Sequence, residues 1–309
     1  MKLARGRLEL EVAPHGAAIA SLKIDGIEVL LQPQGLSEAE ADAQYLNRLV
    51  GRVANRIAEG RFTLEGHAFQ VSANEGGNTL HGGVVGWSMR DWRLEETLTG
   101  VRAHYTSPDG EMGFPGEVQA VADIVLVSDH AFEIRYGVTA DRPTPINLTH
   151  HLYFNLGGGT ILDHELTLAA SAYTPCGAGL IPTGELAAVN GTPFDFRAPR
   201  RLGDAMAQPH PQLAMASGVD HNFVLDQGAA PALRLTSPES RITLEIETDQ
   251  PGIQLYTGQK MRPPWVPHQA LAIEPQGFPD AVNHPNFPNS ILRPGETYAR
   301  RVLYRLTRG

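Results

Sequence analysis

The chain has 309 residues, of which 42% are hydrophobic and 19% are charged, so it can bury a large core and is unlike a disordered chain. Its 34 acidic and 25 basic residues give a formal net charge of −9. Because apolar residues interrupt its basic clusters, we expect no nucleic-acid partner. No stretch of about 18 apolar residues is present, so we expect no membrane partner.

Most of the predicted secondary-structure elements along the chain are short β-strands. Short runs of alternating apolar and polar residues, bounded by glycine and proline, predict β-strands. In chain order these predicted strands are 8–12, 17–24, 92–98, 117–127, 131–140, 147–156, 241–249, 253–256, 271–276 and 297–306. One helix is predicted, at 37–46, where Ser37 is placed to cap the first turn.

These elements predict an all-β fold with little helix, built from large antiparallel sheets in a sandwich or barrel. The alternation of strand and helix that would indicate a parallel α/β fold is absent. No linker, charge block, repeat or change in composition divides the chain. We therefore predict a single domain covering residues 1–309.

The only cysteine, Cys176, has no intramolecular disulfide partner, so the fold does not depend on an oxidising compartment. We expect its side chain to be a small buried group. The N-terminal segment has no apolar stretch of signal-peptide length. The expected location is therefore the cytoplasm.

Two adjacent histidines lie in the predicted strand 147–156, NLTHHLYFNL. Successive side chains of a strand point to opposite faces. One face is polar or amphipathic throughout: Asn147, Thr149, His151, Tyr153 and Asn155. The other is apolar except for one histidine: Leu148, His150, Leu152, Phe154 and Leu156. The polar face predicts the wall of a hydrated cavity around His151, whereas His150 is expected to lie beneath the sheet with its hydrogen bonding satisfied.

Two later strands also place polar side chains on one face. In 253–256 these are Gln254 and Tyr256. In 271–276 they are Glu274 and Gln276, with Ala272. Because proline cannot donate a ladder hydrogen bond, we expect 271–276 to fray at Pro275. A carboxylate at a fraying strand end, followed by a loop, is well placed to reach a pocket.

Six motifs, in the same order along nearly the whole chain, resemble those of the aldose 1-epimerases, the galactose mutarotases. They are LVGRVANRIAEG at 49–60, NTLHGG at 78–83, NLTHHLYFNL at 147–156, GVDHNF at 218–223, PGIQLYTG at 251–258 and EPQGFPDAVN at 274–283. The resemblance implies a β-supersandwich fold. It also implies interconversion of the α and β anomers of a free aldose.

The resemblance also implies site residues. It makes His151 the general acid and Glu274 the general base. The residues that it places against the sugar are Asn55, Arg56, His81, Asp220 and Gln254. Tyr153, in the same motif as His151, is expected to line the site.

Anomer interconversion opens a hemiacetal ring and closes it on the other face, so the anomeric hydroxyl loses a proton while the ring oxygen gains one. We expect a base and an acid on opposite sides of the sugar. Glutamate, with a reference pKa of about 4.3, is ionised at neutral pH, and histidine, at about 6.5, donates when its cation is favoured. A nearby Asp220 would raise the pKa of His151. No electrons move and no covalent adduct forms, so no cofactor is expected.

The sequence departs from the family's pattern in two places. Position 150 is His150 where the family usually has asparagine, and face alternation predicts little effect on catalysis. The segment 258–270, GQKMRPPWVPHQA, is shorter and richer in proline than the matching loop. Because this loop is expected to border the pocket, the substrate stays open among hexoses, pentoses and uronic acids. A phosphosugar is disfavoured because the sequence has no clear Lys/Arg cluster. The oligomeric state also stays open.

Three other classes of protein compete with this interpretation. A metal enzyme is disfavoured because His150 and His151 diverge and no HExxH motif occurs, so no metal is predicted. A glycoside hydrolase needs two carboxylates about 5–10 Å apart, which Asp220 and Glu274 could supply. A non-catalytic sugar-binding protein would have no need of both His151 and Glu274.

Overall fold

Alternating apolar side chains form antiparallel strands along the whole chain in the computed structural model, which describes residues 1–309 and is about 43% strand and 11% helix. The first strands are β1 Lys2–Arg5, β2 Leu8–Val12, β3 Ile19–Ile24, β4 Ile27–Glu28, β5 Leu49–Val50, β6 Arg56–Ile57, β7 Arg61–Leu64, β8 His67–Gln70, β9 Thr79–Leu80, β10 Arg93–Glu96, β11 Gly100–Ser107, β12 Val118–Ser128 and β13 Ala131–Ala140. The rest are β14 Thr144–Pro145, β15 Thr149–His150, β16 Leu152–Phe154, β17 Glu165–Leu168, β18 Ala170–Tyr173, β19 Ala187–Ala188, β20 Arg200–Arg201, β21 Asp220–Leu225, β22 Leu233–Thr236, β23 Ile242–Thr248, β24 Gly252–Tyr256, β25 Leu271–Gln276, β26 Ile291–Leu292 and β27 Tyr298–Arg308.

These strands form two large sheets and several small ones. The larger has nine strands in the order β10-β11-β12-β13-β27-β23-β22-β17-β20, and the other has six in the order β16-β25-β24-β21-β18-β19. A four-stranded sheet, β1-β2-β3-β4, and four two-stranded ladders complete the fold. Neighbouring strands are antiparallel, as the alternation predicts.

The two large sheets enclose the main core. Phe132 and Tyr304 from the nine-stranded sheet stack at 4.7 Å, and Phe154 from the six-stranded sheet lies 6.1 Å from the Tyr304 ring. The core cluster holds 56 buried residues drawn from Leu8 to Leu306. The all-β supersandwich prediction is confirmed. The single domain stays a prediction, supported by a core that draws on both ends of the chain.

Each predicted strand overlaps a strand of the structure, and several bounds differ at the strand ends. Other strands were not predicted, among them β11, β17, β21 and β22. The strand 131–140 has the predicted bounds. The predicted 17–24 begins at Ile19, and the predicted 92–98 narrows to 93–96. Strand ends depend on which partner strand is present, so the sequence defines them less sharply than it defines the buried face.

The structure contains three short α-helices. The predicted one is α1 Glu38–Asp42, where the Ser37 side chain accepts from the Glu40 backbone N–H and Glu40 completes a capping box. It is shorter than the predicted 37–46. Two helices were not predicted, α2 Leu202–Met206 and α3 Pro211–Ala216. Each is too short for a 3.6-residue period to show. No helix has both the length and the apolar character needed to cross a lipid bilayer.

The predicted strand 147–156 is interrupted at His151. On one side of the break β15 pairs with β5, and on the other β16 pairs with β25. The backbone N–H of His151 donates to the Arg48 carbonyl at 2.8 Å, and its carbonyl accepts from Asn47 N–H at 3.2 Å. Both backbone groups of His151 are therefore fixed by the segment that follows α1.

The predicted fraying at Pro275 is wrong. Strand β25 continues to Gln276, and Pro275 is opposite Ile253 of β24. Its other neighbour, β16, pairs only with residues 271–273. Because Pro275 lies beyond that pairing, its missing N–H costs no ladder bond on that side. Glu274 is therefore held inside a continuous strand rather than on a loose end.

Candidate active site

Strand register brings the predicted acid and base together. Gln254 of β24 is directly opposite Glu274 of β25, so both side chains are on the same face of the sheet. The next strand, β16, begins one residue after His151. His151 Nε2 lies 3.5 Å from Glu274 Oε1, and the two residues are only 5% and 2% exposed. Residues that are 123 positions apart in sequence therefore share one enclosed site.

A cavity of about 300 Å³ opens over this pair. Its lining residues are Ala43, Gln44, Tyr45, Asn55, Arg56, Glu75, Leu80, His81, His151, Tyr153, Asp220, Tyr256, Lys260, Arg262 and Glu274. Every predicted site residue except Gln254 is among them. The cavity is large enough for a monosaccharide and is lined mainly by polar and aromatic side chains.

Gln254 lies behind the cavity wall rather than on it. Its Nε2 donates to Asp220 Oδ1 at 2.7 Å, and the Gln254 residue is only 3% exposed. The resemblance implied a direct sugar contact of Gln254, which stays a prediction; in the structure its side-chain amide is bonded to Asp220.

Only two of the five residues on the polar face of 147–156 reach the cavity, His151 and Tyr153. Asn147 instead accepts the Gly277 backbone N–H at 2.7 Å, and Asn155 donates to Gln269 O. Thr149 is fully buried. The strand break at His151 and the loops packed against it keep Asn147, Thr149 and Asn155 out of the cavity.

His150 lies on the opposite side of the sheet, as predicted. Its Nδ1 is 2.8 Å from the Tyr136 hydroxyl and its Nε2 is 3.1 Å from Ala17 O. A carbonyl only accepts, so Nε2 carries the proton and Nδ1 accepts from the tyrosine. Burial lowers the pKa of His150 to about 4, so the ring is a neutral, satisfied core group.

His81 has its tautomer fixed by the backbone. The Asn55 N–H donates to His81 Nδ1 at 3.1 Å, and Asn55 itself adopts a left-handed φ of 62°. Burial, followed by the nearby His151 and Arg56, lowers the pKa of His81 well below its usual value. The neutral ring therefore carries its proton on Nε2 and can donate it to a ligand oxygen.

Arg56 is held by a residue that the sequence did not single out. Its Nε and Nη2 donate to the two carboxylate oxygens of Glu75 at 2.6 and 2.8 Å. Such a two-point pair fixes the guanidinium plane. Nothing in the local sequence pairs positions 56 and 75, since the contact depends on how β6 and the segment around Glu75 fold against each other.

The charge of the central pair is set by burial. Burial raises the pKa of Glu274 well above its usual value, the negative charge of Asp220 adds to this, and Arg56 opposes it. Burial lowers the pKa of His151 to about 4. In the free site the pair therefore favours a neutral carboxyl beside a neutral imidazole, with one exchangeable proton between them.

The expected effect of Asp220 on His151 is wrong. Asp220 is bonded to Gln254, interacts with Arg56, and raises the pKa of Glu274. Burial, which no single strand pattern reveals, dominates the pKa of His151 instead.

Aromatic rings cover the other side of the histidines. The Tyr45 ring lies 4.5 Å from His81 and 6.0 Å from His151, and the Tyr153 ring lies 4.7 Å from His151. Tyr45 falls at the end of the predicted helix 37–46, and nothing in the local sequence indicates that its ring contacts these histidines. These rings reduce the contact of the pair with water, which strengthens electrostatic interactions within the site.

The group of His81, His151 and Glu274 has the spacing of a metal site, since one ligand atom from each lies within 4.8 Å of the others. A histidine that binds a metal through Nε2 carries its remaining proton on Nδ1 and donates it to an acceptor. At His81 that nitrogen faces the Asn55 N–H, a donor. The donor set therefore fits a hydrogen-bonded ligand better than a cation.

Replacing Gln254 by methionine is expected to weaken substrate binding. Losing a hydrogen bond to a charged group costs about 1.5–3 kcal/mol, so we expect the KM for the molecule that the cavity binds to rise by roughly 10- to 100-fold with a smaller change in kcat. The matched control is Gln250→Met, because Gln250 is equally buried but bonds to Leu148 O and the Tyr298 hydroxyl outside the cavity. Equal KM effects of the two substitutions would contradict the role of Gln254.

Comparison with known proteins gives one consistent result. The family model described as aldose 1-epimerase matches residues 1–305. The galactose mutarotase of Mus musculus is 37% identical over 99% of this chain and 93% of its own length, and the aldose 1-epimerase of Escherichia coli (strain K12) is 34% identical over 94% and 89%. Among solved structures, an aldose epimerase homologue from C. elegans has a TM-score of 0.92 at 27% identity, covering 100% of this chain and 98% of that one. A galactose 1-epimerase from Lactobacillus acidophilus NCFM has a TM-score of 0.90 at 28% identity, covering 100% and 94%.

Proposed function

The chain belongs to the aldose 1-epimerase family, and on that premise we propose that His151 and Glu274 interconvert the α and β anomers of a free aldose by acid–base catalysis. The protein is an isomerase with mutarotase activity. The observation that carries the assignment of roles is the 3.5 Å approach of an imidazole to a carboxyl on the floor of a sugar-sized cavity.

Ring opening uses the charged form of the pair. A Glu274 carboxylate takes the proton of the anomeric hydroxyl while a His151 imidazolium gives its proton to the ring oxygen. We expected the acid and the base to lie on opposite sides of the sugar. The structure does not fit this expectation, because the 3.5 Å between His151 Nε2 and Glu274 Oε1 is too short to hold a sugar ring. Both reacting oxygens are bonded to C1, so one edge of the sugar faces the pair.

Burial favours the state that follows ring opening. Once both protons have moved, Glu274 and His151 are neutral, which is the form that desolvation stabilises. Rotation about C1–C2 then presents the other face of the aldehyde, and the two groups exchange roles for closure. The sugar hydroxyls and Arg56 must favour the charged form enough to start the cycle.

The remaining residues suit the hydroxyl groups of the sugar. His81 offers an Nε2 donor, Arg56 offers guanidinium donors held in place by Glu75, and Asp220 offers carboxylate acceptors. Asn55 sets the His81 tautomer and lines the wall. We assign these residues to binding and orientation rather than to proton transfer.

Anomer interconversion is tested by optical rotation or by NMR exchange on freshly dissolved aldoses. Galactose is the first choice because several relatives are named galactose mutarotases. We expect the protein to accelerate equilibration over an enzyme-free sample. No acceleration for any aldose, together with hydrolysis of nitrophenyl glycosides, would instead support the glycoside hydrolase, which none of the relatives described above supports.

The rate is expected to follow a bell-shaped curve against pH. Activity needs the pair to hold one proton. Below about pH 4 the pair gains a second proton, because His151 is then protonated beside a neutral Glu274 carboxyl. At a pH above the raised pKa of Glu274, the pair loses its remaining proton. Activity should therefore fall on both sides of that window. A plot of kcat/KM against pH, with the spontaneous rate subtracted, checks this, and a single rising limb would contradict it.

We also propose that the protein works in the cytoplasm. Cys176 is buried and unpaired, and burial raises the pKa of its thiol to about 12, so it is a weak nucleophile. The fold therefore uses no disulfide. The lack of a nucleic-acid partner stays a prediction from net charge.

A further inference from the structure

We propose that Asn47 is a positioning residue for the proton transfer, because its side-chain amide holds His151 at its place beside Glu274. This inference rests on the proposed anomer interconversion and adds a residue to it. Asn47 is only 2% exposed and is not part of the cavity lining. It also lies outside the six motifs that carry the family resemblance. Asn47 therefore acts through His151 and not on the sugar.

The chain changes its neighbour along one edge between Tyr153 and His151. The Leu31 N–H donates to Tyr153 O at 2.8 Å. His151 instead bonds through both of its backbone groups to the segment 47–48. The opposite edge of β16 pairs with β25, the strand that carries Glu274. A junction between two neighbouring segments therefore lies beside the residue that transfers the proton.

The Asn47 side chain fills this junction. In a regular antiparallel pair the Tyr153 N–H would donate to Leu31 O and complete the exchange of two hydrogen bonds. The Asn47 amide bridges these two groups instead, since its Oδ1 accepts the Tyr153 N–H at 3.0 Å and its Nδ2 donates to Leu31 O at 2.9 Å. An amide suits this place because it offers both a donor and an acceptor. The amide therefore sets the spacing between β16 and the segment around Leu31.

The direction of the His151 ring depends on its backbone. No protein group bonds its Nδ1, although a partner on the second ring nitrogen is the usual means of orienting a catalytic histidine. The ring is held by packing against Tyr45 and Tyr153, and its Nε2 lies 3.5 Å from Glu274 Oε1. A shift of the backbone at residue 151 would therefore move the ring relative to the carboxyl.

Removing the amide is expected to move His151 away from Glu274. The Tyr153 N–H and Leu31 O would be buried without partners, which is unfavourable, and they regain a partner if residues 151–153 shift toward Leu31. That shift leads away from Glu274, because β25 lies on the opposite edge of β16. A misplacement of about 1 Å can cost roughly 100-fold in rate.

The test is the substitution Asn47→Gly. Asn47 has a left-handed φ of 55°, which glycine adopts readily, so the backbone bond to His151 can remain while the amide is lost. We expect kcat for the preferred aldose to fall by roughly 10- to 100-fold. The KM should change much less, because Arg56 and Asp220, which are assigned to sugar binding, lie on other segments.

The matched control is Gln250→Gly. Gln250 is also only 2% exposed, and its side-chain amide bonds to Leu148 O and to the Tyr298 hydroxyl, outside the cavity lining. This variant loses a buried amide of the same kind and should keep kcat. Equal losses of kcat in the two variants would overturn the proposal.

A second readout does not depend on turnover. The ring signal of His151 in a ¹H–¹³C NMR spectrum, identified by its loss in His151→Asn, reports the surroundings of the imidazole. We expect Asn47→Gly to shift this signal and Gln250→Gly to leave it in place. An unshifted signal in Asn47→Gly would overturn the proposal. If the wild type accelerates no aldose but the signal shifts as expected, the positioning role stands and the proposed function is wrong.

Asn47→Asp provides the same comparison if Asn47→Gly does not fold. Aspartate also tolerates a left-handed φ and keeps an oxygen for the Tyr153 N–H, but it places a carboxylate oxygen against Leu31 O in place of the Nδ2 donor. We again expect a lower kcat and a shifted His151 signal. Wild-type values for both would overturn the proposal.

Discussion

Replacing Glu274 by glutamine is expected to slow anomer interconversion by about 10²–10⁴-fold, the usual contribution of a positioned general base. Glutamine keeps the shape of the side chain inside β25 but cannot take the proton of the anomeric hydroxyl. Because the neighbouring contacts remain, we expect substrate binding to change much less than kcat. NMR exchange on the preferred aldose measures both parameters, and a variant with near-wild-type kcat would contradict the role of Glu274.

The same substitution is expected to stabilise the fold at neutral pH. The folded-state pKa of Glu274 is raised above its unfolded value of about 4.3. The folded state therefore binds the Glu274 proton more tightly than the unfolded state does. The resulting contribution to stability is fully present below about pH 4.3 and is lost as the pH rises through the folded-state pKa. Glutamine stays neutral and avoids that decline.

We expect the free energy of unfolding of Glu274→Gln to exceed that of the wild type by roughly 0.5–2 kcal/mol at neutral pH. The difference should vanish in acid, where both side chains are uncharged. Urea unfolding at several pH values measures it. A variant that is less stable than the wild type at neutral pH would show that Glu274 is charged and well solvated in the free protein.

Replacing His151 by asparagine is the second large effect, with an expected loss of about 10²–10⁴-fold in kcat because the ring oxygen loses its proton donor. His150→Asn is a matched control from the neighbouring position. His150 bonds to Tyr136 and Ala17 on the far side of the sheet, so this variant should lose about 1–3 kcal/mol of stability but keep kcat. Similar losses of kcat in the two variants would contradict the assignment of His151.

Much of the site follows from strand alternation. The pattern places His151, Gln254 and Glu274 on the polar faces of three predicted strands. Pairing of β24 with β25 sets Gln254 opposite Glu274, and β16, which begins just after His151, pairs with β25. The same pattern places His150 in the core, where its two hydrogen bonds are found. Because successive side chains of a strand point to opposite faces, the pattern places His151 in the cavity and its neighbour His150 in the core.

Other features depend on contacts between distant segments. The Arg56–Glu75 pair, the Tyr45 ring over His81 and the Gln254 bond to Asp220 each join residues from different loops or strands. The continuous strand at Pro275 depends on where β16 ends. Local sequence carries the propensity of each segment but not the identity of its neighbours, so these contacts could not be predicted from it.

The claim that His151 and Glu274 act on one hemiacetal is tested most directly by combining Glu274→Gln with His151→Asn and measuring kcat by NMR exchange. If the two side chains move protons in the same step, the double variant should be no slower than the slower single variant, because removing either one already disables the pair. Losses that multiply would show that the two groups act independently, and the shared-proton mechanism would then be wrong.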